Sequence, residues 1–487
     1  MNVLFATFEA IPFVKTGGLG DVGGTLPKAL QAAGADIRVI LPKFATIPQE
    51  FLDKMTHLTD FPLLLSWRSQ YCGIEKLEYD GITWYFVDNE YYFGRSYPYG
   101  FFDDGERIAF FAKAVCECIA HLDFKPDILH CNDWHTALSC VFLRENFREW
   151  EGYGGIKTVF TIHNLKFQGK YASSVLGNVL GLHDCPAARN QLLQGDAVNY
   201  MRGALNYADR ITTVSPTYAW EICTDFYGEG CNDIFNRRKS ILSGILNGID
   251  QETYDPKKLE VPFDQDHLAG KAENKRRLQE KLGFQQDPDI PLIGVISRLT
   301  DQKGFDLVNY ILPELLESDV QLAVLGTGQK EYEDAFKYFA GQYPEKVSAN
   351  ILFSEPLSIK FYASCDMILV PSLFEPCGLS QMIAMRYGTL PVVRETGGLK
   401  DSVLPYNQYT GEGNGFSFAN YNAHELLFTI QRAIKLFQED RPAWDQLVQN
   451  AFAADFCWEN SAGQYMALYR DLLTPPSPPD EDEPASE

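Results

Sequence analysis

The chain contains no uninterrupted apolar run of the ~20 residues that a membrane-spanning helix needs, so we predict no membrane span. It also has no excess of basic residues. Lys and Arg number 42 against 65 Asp and Glu, a formal net charge of −23 that argues against nucleic acids and anionic membranes as general partners. A cation that the fold places beside a cleft would then serve a local anionic ligand.

No two cysteines have the C-x-x-C spacing of redox centres and zinc ribbons, although the chain has 11 of them. An odd number without such pairs is typical of reduced, buried thiols in a reducing compartment. The segment from His130 to His135 lacks H-E-x-x-H spacing, and we predict no metal. Because the first predicted strand starts almost at Met1, we expect no signal peptide and a cytoplasmic protein, with a mature plastid protein as the alternative.

What the chain does have is enough apolar sequence for a large core, since 45% of its 487 residues are hydrophobic and 13% are aromatic. Short apolar runs alternate with longer amphipathic stretches, which predicts βαβ units and a parallel sheet. A turn at Asn247-Gly248 separates two such halves, so we predict an α/β protein with domains 1–246 and 247–455. The predicted strands are 3–7, 37–41, 128–131, 158–162, 211–214, 291–297, 321–325, 367–370 and 390–393.

A glycine-rich segment, Lys15 to Val22, follows the first predicted strand and opens a predicted helix. Backbone N–H groups at such a turn can approach an anion, and Lys15 adds a positive charge beside Gly17 and Gly18. We interpret this segment as a phosphate site of neither common type, the G-x-G-x-x-G of dinucleotide folds or the G-x-x-x-x-G-K-[ST] of the P-loop. The alternative is a tight strand-to-helix connection.

Two cations on another strand-to-helix loop, Arg298 and Lys303, lie five residues apart, so that both can reach one diphosphate. Fixed cations neutralise a diphosphate leaving group without a metal ion. The alternative is that they form surface ion pairs with Asp301 or Asp306.

Two polar residues follow predicted strands of the first half, at strand ends where open parallel sheets bind ligands. His163 follows 158–162, and Asp133 follows 128–131. His163 is either a ligand-binding residue or a packing residue. Asp133 either orients a substrate hydroxyl or caps the helix that comes next.

Five segments together resemble the signatures of bacterial glycogen synthases and plant starch synthases, in that family's order and over nearly the whole chain. The resemblance implies a GT-B fold, in which two Rossmann-like domains face each other across a cleft. It also implies a retaining hexosyltransferase that requires neither a metal nor another cofactor. The segments are Lys15–Asp21, Asp133–His135, Phe160–Asn164, Ser297–Gly304 and Glu375–Leu379.

In this family the first domain, here 1–246, forms the acceptor side, and the second, here 247–455, forms the side that binds the nucleotide sugar. A terminal helix, here 456–473, crosses back to the first domain. The remaining residues, 474–487, are rich in proline and acids and cannot form a core, so we predict a disordered tail.

The resemblance also implies roles for single residues. Arg298 and Lys303 would bind the donor phosphates, and Glu375 would bind the glucosyl ring. His163 would hydrogen-bond a sugar hydroxyl near the reacting carbon, and Asp133 would orient the acceptor hydroxyl. Phe353 would stack on the adenine, and the other donor contacts would come from Lys15, Gly17, Gly18, Asn247, Cys377, Gly378 and Leu379.

Since no residue stands out as a covalent nucleophile, retention of configuration is best explained by front-face attack, in which the leaving phosphate helps to take the acceptor proton. For the acceptor itself, the stretch 91–102 is unusually aromatic. Tyr91, Tyr92 and Tyr97 would offer ring faces to a glucan, and the alternative is an aromatic minicore beneath a loop.

We therefore expect transfer of glucose from ADP-glucose to the non-reducing end of an α-1,4-glucan such as glycogen, starch or a maltooligosaccharide. ADP-glucose is favoured over UDP-glucose because the segment at Lys15 resembles that of the bacterial and plant enzymes. The alternatives are a transferase that makes a small glucoside, a non-catalytic glucan-binding protein and a Rossmann oxidoreductase. The last would need the glycine fingerprint of dinucleotide folds and an acidic residue about 20 residues on that holds the NAD ribose, and we predict neither here.

Overall fold

A computed structural model describes residues 1–475, which form two compact units. Unit 1 comprises Met1–Thr212, Asp233–Leu242 and the chain from Glu459 on. Unit 2 comprises Thr213–Asn232 and Ser243–Trp458. Of the tail predicted for 474–487, residues 476–487 lie outside the described residues.

The strands alternate with helices along both units, as the sequence predicts. In chain order the strands are β1 (Asn2–Ala6), β2 (Asp36–Pro42), β3 (Thr56–Leu65), β4 (Arg68–Tyr79), β5 (Ile82–Asp88), β6 (Ile128–Asn132), β7 (Lys157–Ile162), β8 (Lys170–Ala172), β9 (Leu193–Gln194), β10 (Ala197–Asn199), β11 (Arg210–Thr213), β12 (Leu242–Gly244), β13 (Leu292–Ile296), β14 (Gln321–Leu325), β15 (Val347–Asn350), β16 (Met367–Val370), β17 (Leu390–Arg394) and β18 (Phe416–Phe418).

Most of the longer helices connect one parallel strand to the next. In chain order the helices are α1 (Gly18–Ala32), α2 (Gln49–Leu52), α3 (Glu90–Phe93), α4 (Asp104–Cys118), α5 (Ala137–Glu145), α6 (Val175–Asn178), α7 (Pro186–Leu192), α8 (Tyr200–Tyr207), α9 (Pro216–Glu221), α10 (Asn232–Arg237), α11 (Ala269–Leu282), α12 (Phe305–Leu315), α13 (Lys330–Gln342), α14 (Glu355–Ser364), α15 (Ser380–Arg386), α16 (Gly397–Ser402), α17 (Ala423–Glu439), α18 (Arg441–Ala453) and α19 (Trp458–Leu473). Across these described helices, none is both long enough and apolar enough to cross a membrane.

The sheet of unit 1 has a Rossmann core with an addition at each edge. Its strand order is β12-β11-β7-β6-β1-β2-β5-β4-β3, and a small separate sheet has the order β8-β10-β9. Strands β7, β6, β1, β2 and β5 pair in parallel. Without the antiparallel hairpin of β3 and β4 at one edge and the short β12 at the other, the order β5-β2-β1-β6-β7-β11 is the 3-2-1-4-5-6 order of a Rossmann domain.

The sheet of unit 2 has the same topology without an addition. Its order β15-β14-β13-β16-β17-β18 is again 3-2-1-4-5-6, and its paired strands are parallel. Strands covered on both faces are mostly apolar, which is why β16 appears in the sequence as an unbroken hydrophobic run and β13, β14 and β17 as nearly unbroken ones. The predicted α/β fold with two Rossmann-like domains is confirmed.

The division of the chain differs from the boundary drawn at 246. Residues 213–232 belong to unit 2 because their polar side chains bond there: the Ser215 hydroxyl donates to the Pro376 carbonyl at 2.6 Å, and Glu221 accepts from the Gly397 N–H at 3.1 Å. The chain from Glu459 on belongs to unit 1, where the Tyr469 hydroxyl lies 2.6 Å from His130 Nδ1.

Candidate active site

In both units the strand order reverses beside the first strand, between β1 and β6 in unit 1 and between β13 and β16 in unit 2. Open α/β sheets bind ligands at these points, beyond the carboxyl ends of the strands. Most of the predicted site residues lie on the loops that leave these four strands. They are Lys15, Gly17, Gly18 and Asp133 in unit 1, and Arg298, Lys303, Glu375, Cys377, Gly378 and Leu379 in unit 2.

The glycine-rich turn of unit 1 leaves the start of α1 open. Gly17 is the residue before α1, and a Cβ atom there would meet no atom within 4 Å. Among the described residues, no side chain caps this helix, so its first N–H groups stay available to an anion. The open space on this side favours the phosphate interpretation over a merely tight connection.

The later glycines of this segment, which lie within α1, are needed for packing. A Cβ on Gly23 would lie 2.2 Å from the Glu9 carbonyl oxygen, which only a residue without a side chain allows. The prediction that the G-x-G-x-x-G of dinucleotide-binding turns is absent is wrong, because Gly18, Gly20 and Gly23 have that spacing. Spacing alone therefore does not distinguish a dinucleotide from another phosphorylated ligand. The neighbouring side chains have to make that distinction.

Lys15 is held beside this helix start. Its Nζ lies 2.6 Å from Asp21 Oδ1 in a partly exposed ion pair, and Asp21 lies in the first turn of α1. The buried carboxylate of Glu9 fixes the loop by accepting hydrogen bonds from the Thr16 hydroxyl at 2.7 Å, from the Thr16 N–H and from the Tyr99 hydroxyl. Sequence reasoning missed Glu9 and Tyr99, since Tyr99 is 90 residues away in the chain.

Asp133 follows β6 in a strained conformation. Its φ is +62°, a left-handed value that few residues other than glycine adopt. Burial raises the pKa of its carboxyl to about 8, partly opposed by backbone N–H groups of Trp134, His163 and Asn164. Its Oδ1 is buried and has no hydrogen-bond partner within residues 1–475. Because Thr136 is the residue that precedes α5, Asp133 is not the cap of that helix.

His163 stands at the end of β7, next to Asp133. Its Nε2 lies 3.0 Å from Asn132 Oδ1, and the Asn132 amide in turn donates to the Ala6 carbonyl at 3.1 Å. Since an amide oxygen only accepts, we assign the proton to Nε2, which leaves Nδ1 as an acceptor. Burial lowers the pKa of His163 to about 3, so the ring is neutral. Asn132 was not predicted, although it is a polar residue directly before Asp133 at a strand end.

Two further histidines of unit 1 are buried and neutral. Burial lowers the pKa of both His130 and His135 to about 3. The His135 ring stacks on Phe8 with the centroids 4.8 Å apart, and its buried Nδ1 has no partner within residues 1–475.

The aromatic stretch divides between the core and the surface. Tyr91 and Tyr97 are 63% and 51% exposed and present ring faces to solvent. Tyr92 is fully buried, packs on Phe110 and donates its hydroxyl to Glu106 at 2.6 Å. The prediction of Tyr92 as an acceptor contact is therefore wrong, because its ring has no face left for a sugar.

In unit 2, a cation and a carboxylate meet between two loops. Lys303 Nζ lies 2.6 Å from Glu375 Oε2, and the Ser372 hydroxyl donates to the same oxygen at 3.0 Å. Glu375 is only 6% exposed, so its charge depends on these partners. Ser372 was not predicted; its position three residues before Glu375 is the only sequence signal.

Arg298 differs from Lys303 in having no acidic partner. Its side chain is exposed, and within residues 1–475 no carboxylate lies within 4 Å of it. The alternative pairing of these cations with Asp301 or Asp306 is not observed. Asp301 accepts from the Tyr332 hydroxyl at 2.6 Å, and Asp306 accepts from the Tyr421 hydroxyl.

The turn after Glu375 requires glycine. Gly378 has a φ of +74°, and a Cβ there would lie 2.5 Å from Gln381 Oε1. Leu379 follows and precedes α15. Cys377 is buried, which raises the pKa of its thiol to about 12 and keeps it protonated, while the Asn247 N–H donates to its sulfur. The amide oxygen of Asn247, Oδ1, is buried without a partner in the described chain.

Phe353 lies apart from these buried groups. It follows β15 and is 83% exposed, so both faces of its ring are open to a planar ligand. The loop that carries it leaves the edge strand β15, three positions along the sheet from β16, whose loop carries Glu375.

Each unit thus supplies a different set of groups. Unit 1 offers an open helix start with a lysine, a neutral histidine and a carboxyl that is protonated near neutral pH, which suits hydroxyl groups and one anion. Unit 2 offers two cations, a buried carboxylate and glycine turns, which suits a phosphorylated ligand that also carries hydroxyls. Within residues 1–475, no group of three or more His, Cys, Asp or Glu side chains could hold a metal ion.

Two family models and several curated proteins match this chain. Residues 2–237 match the family model "Starch synthase catalytic domain", and residues 274–452 match "Glycosyl transferases group 1". A glycogen synthase of Clostridium novyi is 51% identical over 477 residues, which are 97% of this chain and 99% of that protein. One from Bacillus cereus (strain B4264) is 50% identical over 97% of this chain and 100% of its own length.

Two solved structures are also similar. The catalytic domain of starch synthase IV from Arabidopsis thaliana, bound to ADP and acarbose, is 34% identical with a TM-score of 0.88, over 97% of this chain and 99% of that one. Sucrose-phosphate synthase from Thermosynechococcus elongatus has a TM-score of 0.62 at 17% identity, over 97% of this chain and 99% of that one, and shares the fold alone.

Proposed function

The chain belongs to the glycogen and starch synthase family, and we propose that it transfers glucose from ADP-glucose to the non-reducing end of an α-1,4-glucan. It is a retaining glucosyltransferase with the GT-B fold. The proposal concerns the donor base, the acceptor end and the residues that act. Unit 1 would serve the acceptor and unit 2 the nucleotide sugar.

One observation carries the assignment of the donor side. Arg298, without an acidic partner, and Lys303, paired with Glu375 at 2.6 Å, stand on the loop that leaves the first strand of a Rossmann sheet. Exposed cations cost little to keep unpaired, but a lysine held by a buried carboxylate stays in place for a ligand. We assign both to the diphosphate, whose negative charge grows as the glycosidic bond breaks.

The remaining donor roles follow from chemistry and burial. Glu375 would accept hydrogen bonds from glucose hydroxyls and stabilise positive charge at the anomeric carbon. N–H groups around Cys377, Gly378 and Leu379 would bind sugar or phosphate oxygens. Lys15 with Gly17 and Gly18 would bind phosphate in the same way. We assign Asn247, whose amide oxygen has no partner in the described chain, to the donor, and the open ring of Phe353 to the adenine.

The acceptor and the transferred sugar would be handled by unit 1. The neutral His163 accepts a hydrogen bond at Nδ1 from a sugar hydroxyl near the reacting carbon. Asp133, protonated near pH 7, can donate to the acceptor oxygen through Oδ1, which has no partner in the described chain, and so orients the hydroxyl while leaving its proton for the leaving phosphate. Tyr91 and Tyr97 would supply ring faces along the glucan.

A carboxyl that is already protonated cannot serve as the general base. We therefore assign the acceptor proton to the leaving diphosphate, in front-face attack with retention: the acceptor oxygen bonds to the anomeric carbon, the bond from that carbon to the phosphate oxygen breaks, and the phosphate oxygen takes the proton. No covalent glucosyl-enzyme forms in this scheme.

The test is incubation of the purified protein with ADP-glucose, labelled in its glucose, and glycogen. We expect label in the polymer that α-1,4-specific hydrolases release. Initial rates with ADP-glucose and UDP-glucose at equal, subsaturating concentrations give the ratio of the two kcat/KM values. A clear preference for UDP-glucose would overturn the donor assignment, and label in a small glucoside instead of glycogen would overturn the acceptor assignment.

Arg298→Ala should lower kcat/KM by roughly 10²-fold, because it removes a charge-assisted contact to the leaving group. Arg432→Ala is the matched control, since Arg432 is an exposed arginine of unit 2 on α17, away from the loops that leave β13 and β16.

The bacterial relatives also support a cytoplasmic location for this enzyme, which we propose.

A further inference from the structure

A buried residue of the last helix is joined to the candidate site of unit 1 by hydrogen bonds. Tyr469 lies on α19 and is fully buried. Its hydroxyl lies 2.6 Å from His130 Nδ1, and His130 Nε2 lies 2.6 Å from Thr161 Oγ1. Thr161 Oγ1 lies 2.5 Å from the hydroxyl of Thr212. All four residues belong to unit 1, and none of them was assigned a role by sequence reasoning.

The register of β6 and β7 places the bond between His130 and Thr161 directly beneath His163. His130 is opposite Val159 and Asn132 is opposite Thr161, so each bond joins a residue of β6 to the residue two places beyond its partner on β7. Side chains two residues apart share a face of a strand. The bond from His130 to Thr161 is therefore one step below the 3.0 Å contact from Asn132 to His163, on the same face.

Thr161 is also connected to Asp133. Its carbonyl oxygen accepts the Asp133 N–H at 2.8 Å, and this bond fixes the backbone where Asp133 adopts its left-handed conformation. Thr161 thus supports both candidate side chains of unit 1. Its carbonyl oxygen holds the backbone of Asp133, and its side chain lies two residues before His163 on the same face.

The direction of the hydrogen bonds follows from the charge of His130. Burial keeps its ring neutral, with a pKa of about 3, so one nitrogen donates and the other accepts. If the Tyr469 hydroxyl donates to Nδ1, then Nε2–H donates to Thr161 and the Thr161 hydroxyl donates to Thr212. Without the Tyr469 hydroxyl, the buried Nδ1 of His130 has no hydrogen-bond partner. The ring proton is then no longer confined to Nε2, so the bond that Nε2–H donates to Thr161 is no longer fixed.

We propose that Tyr469 is a positioning residue for glucosyl transfer, which acts through His130 and Thr161 to hold His163 and Asp133 in place. The inference rests on the proposed function, in which those two residues contact the sugar and the acceptor hydroxyl. It makes the last helix of the chain part of the support of the active site.

Tyr469→Phe tests the hydroxyl alone, because the ring that packs on His130, with centroids 5.9 Å apart, remains. We expect kcat to fall roughly 10-fold, since a shift of the order of 1 Å in a positioned group costs up to about 10²-fold. The KM for the donor should change less than about two-fold, because the groups that bind phosphate and base are elsewhere.

Tyr153→Phe is the matched control. Tyr153 is a buried tyrosine of unit 1 whose hydroxyl donates to the Cys116 carbonyl at 2.8 Å, and it lies before the start of β7, at the end of the strand away from His163. It loses the same kind of hydrogen bond, so its effect measures general destabilisation. Equal kcat values for Tyr469→Phe, Tyr153→Phe and the wild-type enzyme would overturn the proposal.

A pair of variants at Thr161 tests the other end of the hydrogen-bonded series that runs from Tyr469 through His130. These variants test the proposal even if Tyr469→Phe does not fold. Thr161→Ser keeps the hydroxyl and should retain kcat, whereas Thr161→Val keeps the shape, loses the hydroxyl and should lose kcat as Tyr469→Phe does. The double variant Thr161→Val/Tyr469→Phe should be no slower than the slower single variant, because both substitutions break the same series of hydrogen bonds. Additive losses, or a serine variant as slow as the valine variant, would contradict the connection.

A readout without turnover separates this inference from the proposed function. In protein labelled with ¹⁵N-histidine, the ring nitrogens of His130 and His163 should change their signals in Tyr469→Phe and keep them in Tyr153→Phe. If the wild-type enzyme transfers no glucose, the proposed function is wrong, and the nitrogen signals still report whether Tyr469 sets the two rings. Unchanged signals in Tyr469→Phe would refute the positioning role.

Discussion

Replacing Lys303 with alanine should damage both stability and transfer, for two separate physical reasons. Lys303 Nζ lies 2.6 Å from Glu375 Oε2, and Glu375 is 6% exposed. The Ser372 hydroxyl, at 3.0 Å, is the other donor to that oxygen. Without Lys303 the carboxylate keeps one neutral donor in a place that water hardly reaches, and a buried charge without its counter-ion is costly.

The loss of stability can be bounded from the geometry. Removing one member of a fully buried pair costs about 3–5 kcal/mol. The Lys303 side chain is 18% exposed, so water reaches its end of the pair, and we expect about 2–3 kcal/mol for Lys303→Ala. Adding Glu375→Gln removes the uncompensated charge, so the double variant should regain most of that free energy of unfolding in urea titrations.

The loss of activity should behave differently. Lys303→Ala should lower kcat/KM with ADP-glucose by about 10²–10³-fold, because a cation that faces the leaving diphosphate is gone. The double variant should not regain it, since it still lacks that cation. Lys28→Ala, which breaks an exposed ion pair with Asp80, serves as the control and should change neither quantity measurably. Wild-type stability and turnover in Lys303→Ala would refute the reasoning, and so would a double variant no more stable than the single one.

The remaining predictions concern the carboxylate and the buried rings. Glu375→Ala should abolish most transfer while ADP still binds in calorimetry, because the carboxylate is assigned to the glucosyl ring; an equal loss of ADP binding would reassign Glu375 to a structural role. For His130, His135 and His163, whose pKa values are lowered from 6.5 to about 3, the unfolded state binds more protons below about pH 6.5, so the free energy of unfolding should fall as the pH drops from there toward 3. Asp133, with a pKa raised to about 8, acts in the opposite direction between pH 8 and 4, but it is one group against three. Urea titrations at pH 7 and pH 5 measure the sum, and equal stabilities at the two values would contradict neutral buried rings.

The sequence predicted the parallel strands well because a strand covered on both faces is mostly apolar. The predicted runs 321–325 and 367–370 coincide with β14 and β16, and 128–131 differs from β6 by one residue. The antiparallel hairpin of β3 and β4 was not predicted, since its exposed outer face interrupts the apolar pattern. Nor could the pattern show that 213–232 pack in unit 2, because that depends on contacts such as Ser215 with Pro376.

For the candidate site, motifs identified side chains whose chemistry fits, but the partners that set their state are distant in the chain. Glu375 lies 72 residues from Lys303, and His130 lies 339 residues from Tyr469. Nor could the sequence predict which of two adjacent tyrosines is exposed. Tyr91 and Tyr92 have the same chemistry, but Tyr92 packs on Phe110 and is buried, whereas Tyr91 is exposed.

Asp133 shows what depends on such partners. A carboxylate at a strand end would be charged at neutral pH and could take a proton from the acceptor, so the motif alone permits a general base. Burial raises its pKa to about 8, because the interior penalises the charge more than three backbone N–H groups stabilise it. Asp133 is thus a hydrogen-bond donor near pH 7, and for that reason the proposed mechanism gives the acceptor proton to the leaving phosphate.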